Sequence, residues 1–172
     1  MAVRIRRLRR GGIQANLDND EAAVLIALCR ELSGLLPTEG EVDDDPVLNR
    51  LFPRAYLDPT EEESEAEWRR FAHPDLVEGR KEAVETVLRT LAGARRHRNS
   101  LEVTLTTEEA GAWLGVVNDA RLALGTRLDV TEDTHPANFR PGDPAAAPFA
   151  VYWWLGYLEE TLVDTLASSI DG

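Results

Sequence analysis

Leu101-Glu102-Val103-Thr104-Leu105-Thr106-Thr107-Glu108-Glu109 is the stretch that orders the rest of the chain. Its first five residues alternate apolar and polar, as a strand with one face on a core requires. Thr106 with Glu109 three residues later then makes a capping box, the local signature of a helix start. An echo stands near the N-terminus, where Ile13-Gln14-Ala15-Asn16-Leu17 is followed by Asp18-Asn19-Asp20-Glu21. Beyond the caps, Glu109-Ala110 matches Glu21-Ala22, and Trp113-Leu114 matches Leu25-Ile26. Two strand-cap-helix units of this kind can set their strands side by side in one small sheet. The competing reading is that strand-to-helix junctions draw on a limited vocabulary. If the two strands pair in parallel, Arg7 and Arg10 fall opposite Arg95 and Arg98; antiparallel pairing scatters these charges.

Working outward, Val3 to Arg10 and Ile13 to Leu17 flank Gly11-Gly12, a pair suited to a two-residue hairpin turn. Ala22, Leu25, Ile26, Cys29, Leu32 and Leu36 recur at helical spacing up to Pro37. Thr38 to Pro46 reads as an acidic connector, and Val47 to Tyr56 as a short helical piece broken at Pro53. Glu61 to Ala72 is a polar helix with Trp68 and Phe71 as anchors. His73-Pro74 opens a longer helix with Val77, Val84, Val87, Leu88 and Leu91 on its apolar stripe, ending in Arg95-Arg96-His97-Arg98. After Leu105, a helix from Thr107 to about Gly125 buries Ala110, Trp113, Leu114, Val117 and Leu124. A proline-rich connection leads to a last helix from Phe149 to Ser169, with Val151, Trp154, Leu155, Leu158, Leu162 and Leu166 on one side.

These elements predict a mainly α fold: a helical bundle of about five or six helices with a small β element, an N-terminal hairpin plus one short strand near 101–105. The expected organisation is a single domain over 1–172, with the hairpin at 1–17, a first helical half at 18–98 and a second at 101–172. The 172 residues suffice for a real core.

Composition excludes several classes. There are 19 Lys+Arg against 31 Asp+Glu, a net charge of −12, which argues against a general nucleic-acid binder. The charge is uneven, however: Arg4, Arg6, Arg7, Arg9 and Arg10 crowd the first ten residues, and every basic residue except Lys81 is an arginine. Together with Arg95 and Arg98, these arginines are the candidate phosphate contacts. No run approaches the roughly 18 apolar residues of a membrane helix. The basic start leads into Gly11-Gly12, not into the apolar stretch of a secretory signal, so a cytoplasmic location without membrane contact is expected.

The catalytic signals are weak. His73, His97 and His135 are scattered, with no ligand pair at helical spacing, so no metal site is expected. Cys29 lies on an apolar stripe, where a free cysteine is a small core hydrophobe. No nucleophile elbow or glycine-rich phosphate loop is present, so no catalytic residue and no cofactor is assigned. Gly111 and Gly115, four apart on one helix face, signal close helix packing. Two features remain as pocket or partner candidates. One is the polar run Asn118-Asp119-Ala120-Arg121 beside Trp113, with Arg127 and Asp129 following, read as a buried Asp-Arg network or as a polar groove. The other is the aromatic group Tyr152-Trp153-Trp154 with Tyr157, whose flank of Trp153 and Tyr157 is read as an interface, a homodimer included, or as part of a broad core.

Three segments carry a resemblance: Leu51-Phe52-Pro53-Arg54-Ala55-Tyr56 with the acidic Trp68 helix, the run Ala112 to Leu128, and Tyr152 to Val163. Together they resemble an actinobacterial domain-of-unknown-function family, commonly encoded beside the protease adaptor ClpS and a metallopeptidase, which includes an oxidative-stress transcriptional regulator. The resemblance implies a non-enzymatic cytoplasmic regulator acting through a protein partner, such as a sigma factor or another regulator. Its runners-up are a DNA-contacting transcription factor using the N-terminal arginines and an accessory factor for ClpS-linked proteolysis. It supplies no catalytic residue. One departure bears on the oxidative role. Disulfide sensing needs two thiols, but Cys29 is alone and the position one turn onward is Ser33, so no intramolecular cysteine switch operates.

Overall fold

The computed structural model describes residues 3–37 and 45–168. Two short strands, β1 (Arg4–Arg7) and β2 (Ile13–Asp18), form the N-terminal hairpin, and α1 (Asn19–Leu35) follows directly. Next come α2 (Pro46–Leu51), a 3₁₀ turn (Pro59–Glu61), α3 (Glu62–Phe71) and α4 (His73–Ala92). The chain then forms β3 (Arg95–Arg96), β4 (Ser100–Leu105) and α5 (Thr107–Arg127). A second 3₁₀ turn (Pro136–Asn138) precedes α6 (Ala146–Ala167). The protein is mainly helical with a small β element, as the periodicity predicts, and every strand pair in its sheet is antiparallel. The expected acidic connector falls largely at 38–44, and the expected end of the last helix at 169, both outside the described residues.

Both capping boxes form. Asp18 accepts from the Glu21 N–H at 2.8 Å while Glu21 accepts from the Asp18 N–H at 2.8 Å. Thr106 and Glu109 make the same reciprocal pair at 2.9 and 3.1 Å. The two strands that lead into these caps are indeed neighbours, in a sheet of order β1-β2-β4-β3. They run antiparallel, with Ile13 opposite Leu105, Ala15 opposite Val103 and Leu17 opposite Leu101. By sequence, Ala15 is the counterpart of Val103, and these two residues are paired with each other. The β2–β4 ladder is thus arranged about a local two-fold axis through that pair. Each of its strands has an outer neighbour, and the expected single strand near 101–105 acquires an edge partner, β3, where Arg95 pairs with Glu102.

Alternation puts Ile13, Ala15, Leu17, Leu101, Val103 and Leu105 on the buried face of the sheet. They join one hydrophobic core that runs from Val3 to Leu162. The opposite face carries Arg4, Arg6, Asn16, Glu102 and Arg95 by register and is polar. The hairpin loop spans Leu8 to Gly12, wider than a two-residue turn, with both Gly11 and Gly12 at positive φ. At Gly12 a Cβ would lie 3.0 Å from the Leu105 carbonyl oxygen, so this position needs glycine on both counts.

Two local expectations are corrected. Phe71 is not an anchor: it is 65% exposed, whereas Glu65 of α3 is buried, accepting from the Ala55 and Tyr56 N–H groups and from Arg69. The Tyr56 N–H, then Arg69, hold the Glu65 carboxyl below its ordinary range. Gly111 and Gly115 do not face a neighbour, since a Cβ at either would meet nothing within 4 Å. Close approach occurs instead between α5 and α6, where a Cβ at Gly125 would stand 3.0 Å from the Tyr152 ring and one at Gly156 3.4 Å from Arg121.

Candidate functional site

Helix α5 is central: it packs against α1, α2, α4 and α6, so its polar residues face different neighbours. Asp119 is buried against α4, its Oδ2 3.1 Å from Arg80 Nε. The Arg80 guanidinium lies 4.6 Å from the Phe52 ring centroid and donates to the Leu51 carbonyl at 3.0 Å, so one arginine joins α2, α4 and α5. Burial pushes the Asp119 carboxyl up, and the nearby Arg80 charge offsets this only in part. Arg121 faces the other way. It donates to Glu159 Oε2 of α6 at 3.1 Å and stacks 5.2 Å from the Tyr152 ring centroid. Asn118 is half-buried. The expected single Asp-Arg network is therefore two separate cross-helix locks, and Arg80, Phe52, Glu159 and Tyr152 complete them.

Beside the Arg121 lock is an open cleft of about 250 Å³, lined by Arg50, Arg121, Gly125, Thr126, Asp129 and Tyr152, among others. It lies between the last turn of α2, the C-terminal end of α5 and the first half of α6. Sequence reading names Arg121, Asp129 and Tyr152 in separate features and passes over Arg50, because these residues meet only through tertiary packing.

Trp113 is placed in the core. It is 0% exposed, and its indole N–H donates to Thr90 Oγ1 of α4 at 2.9 Å, so it is not available to a partner. Trp153 is half-buried in an aromatic cluster, its ring 5.9 Å from Phe139 and 6.0 Å from Phe149. Tyr157, one turn later, is 53% exposed. These two neighbours thus divide between satellite core and surface.

The arginines are dispersed. Arg4 and Arg6 lie exposed on the polar sheet face, with Arg6 Nε donating to Gln14 Oε1 at 2.8 Å. Arg7 donates to the Ser168 carbonyl at 2.9 Å, tying β1 to the end of α6. Arg9 and Arg10 are exposed in the hairpin loop, while Arg95 and Arg98 are exposed at the far edge of the sheet. Antiparallel pairing of β2 with β4 removes the juxtaposition of Arg7 and Arg10 with Arg95 and Arg98 that parallel pairing would create.

Cys29 is fully buried, and burial pushes its thiol up to about 12. At pH 8 only roughly one molecule in ten thousand then carries the reactive thiolate. Ellman's reagent should accordingly leave the native chain unmodified over minutes and label one thiol once urea unfolds it. Fast labelling without denaturant would contradict the buried placement. Among the described residues, no group of three His, Cys, Asp or Glu side chains is placed to hold a metal ion.

The family described as "Domain of unknown function (DUF2017)" matches residues 3–166, and so includes every element above except the last residue of α6. The chain belongs to this family. Proteins named oxidative stress regulator AosR from Mycobacterium tuberculosis and Mycobacterium bovis are 31% identical over 170 residues, covering 92% of this chain and 75% of theirs. A Mycobacterium leprae protein named for the same regulator is 29% identical over 170 residues, covering 92% of this chain and 76% of its own. No solved structure matches. Within the matched region α5 packs on α6 through Gly125, Gly156 and the Arg121–Glu159 lock, and on α4 through the Arg80–Asp119 lock. No helix among the described residues is long and apolar enough to cross a membrane.

Proposed function

We propose that this DUF2017 chain is a non-enzymatic regulatory protein of the cytoplasm that acts in a stress response by contacting another regulator, with a sigma factor as the first partner to test. The observation that carries this reading is the likeness to proteins named oxidative stress regulators over 92% of the chain. The outward side of α6 is the proposed contact surface, because Tyr157 and Val163 stand 53% and 45% exposed there beside the Trp153 cluster. Exposed aromatic anchors of this kind dominate interface energies. Any oxidative input reaches the chain through that partner and not through an internal disulfide, since Cys29 is its sole thiol.

A second reading, DNA contact, rests on Arg4 and Arg6 standing together on the polar sheet face. One titration separates the two. Purified sigma factors and a promoter fragment are each titrated against wild type, Tyr157→Ala and Arg4→Gln/Arg6→Gln. The regulatory reading expects a sigma factor to bind and Tyr157→Ala to weaken it about tenfold or more, with unchanged circular dichroism. DNA binding that falls steeply with salt and is lost in the arginine variant, without sigma-factor binding, would replace it with the second reading.

A further inference from the structure

The cleft between α2, α5 and α6 brings charges that helix packing leaves unpaired, Arg50 and Asp129, beside the Arg121 lock. Arg50 stands exposed on the last turn of α2 and has no ion-pair partner among the described residues. Arg121 points its stacked guanidinium to the same cleft, fixed between Glu159 and the Tyr152 ring; its buried Nε has no hydrogen-bond partner among the described residues. The fixing is built in at two glycines, since side chains at Gly125 and Gly156 would collide with Tyr152 and crowd Arg121. Two arginines from different helices thus line one space, one unpaired and one holding Glu159 through a single nitrogen, and a carboxylate can be met there by the remaining guanidinium N–H groups.

Asp129 is the counterweight, and its charge breaks a local rule. It is the sole non-glycine residue with positive φ among the described residues, at 51°, a backbone that Asp tolerates as Asn does. Its carboxylate adds negative charge just past the C-terminus of α5, where the helix dipole is already negative. Its carboxylate has no hydrogen-bond or ion-pair partner among the described residues, although its own N–H bonds the Thr126 carbonyl. An acidic side chain at a helix C-terminus disfavours an anion and favours a cation. Positions that break local rules without a packing gain are where binding sites are found.

We propose that this cleft binds a small zwitterion of the amino-acid class, its carboxylate facing Arg50 and Arg121 and its ammonium facing Asp129 and the carbonyl end of α5. The volume of about 250 Å³ is below that of a cleft for drug-sized ligands and fits a single small metabolite. Leu122 and Val130 give the cleft an apolar wall for the ligand's side chain. This site lies apart from Tyr157 and does not depend on the protein partner proposed above.

The test is calorimetric titration of the full chain, with thermal unfolding in parallel, using alanine, serine, leucine and glutamine. The controls are propionate, which is alanine without its amino group, ethylamine and inorganic phosphate. At least one amino acid is expected to bind and to raise the unfolding midpoint by mass action, with propionate and ethylamine at least tenfold weaker. Arg50→Gln should weaken the amino acid about tenfold without changing the unliganded midpoint. Asp129→Asn, which keeps a residue tolerant of the left-handed backbone, should make the amino acid no better than propionate. Absence of amino-acid binding at millimolar concentration overturns the proposal. So does propionate or phosphate binding as tightly as the best amino acid, or an Arg50→Gln protein that binds unchanged.

Discussion

Glu21→Ala is expected to lower the unfolding free energy by about 3–7 kcal/mol, from the loss of one carboxylate that serves three donors. Glu21 is 0% exposed. Its Oε1 accepts from the Val3 N–H at 2.9 Å and from the Trp154 indole N–H at 3.2 Å, and its Oε2 accepts from the Asp18 N–H at 2.8 Å. It therefore joins the residue before β1, the cap of α1 and the middle of α6. Alanine leaves two buried donors without partners, each costing about 1–3 kcal/mol, and removes half of a capping box, about 1 kcal/mol more. Glu21→Gln is the informative companion. Its carbonyl can replace Oε1, but its amide then meets the Asp18 N–H donor to donor, so a loss smaller than that of alanine is expected. Urea unfolding followed by circular dichroism measures both. An alanine variant within about 1 kcal/mol of wild type would show that Glu21 does not hold these elements together.

The features that could be read from sequence are those set by neighbours along the chain. Asp18/Glu21 and Thr106/Glu109 were readable because a capping box closes within four residues. The stripes through Leu25, Cys29 and Leu32, or Leu155, Leu158 and Leu162, were readable because burial follows the helical period. The direction of β4 against β2 was not, since it depends on how α1 to α4 return the chain to the sheet. Strand β3 escaped notice because Arg95-Arg96 is two residues long and exposed, with pairing to β4 as its sole support. Among the glycines, Gly125 and Gly156 matter and Gly111 and Gly115 do not, because the deciding quantity is which side of α5 meets α6. Asp119 and Arg121 carry a simpler lesson. Residues two apart on a helix point to opposite sides, so one shared network between them was excluded by helical geometry alone. The charges that converge in the cleft, Arg50 from α2 and Asp129 after α5, lie far apart in sequence, and no periodicity links them.

Trp113→Ala is the second large effect, about 3–5 kcal/mol of lost stability, and it decides between core and partner roles for the most conspicuous aromatic of α5. The side chain is 0% exposed, and its one polar atom is satisfied by Thr90 Oγ1, which itself donates to the Thr86 or Val87 carbonyl within α4. Filling and hydrogen bonding can be separated. Trp113→Phe keeps most of the volume and removes the N–H, so it should cost clearly less than alanine. Thr90→Val keeps the volume at position 90 but leaves the indole N–H buried without an acceptor, which should cost about 1–3 kcal/mol. In the double variant Thr90→Val/Trp113→Phe no donor is left stranded, so its loss should be smaller than the two single losses added together. A core role requires that non-additivity, together with unchanged partner binding by Trp113→Phe under conditions where it stays folded. Additive losses would mean that the bond to Thr90 does not hold Trp113 in place. Lost binding with undiminished stability would move Trp113 to the interacting surface.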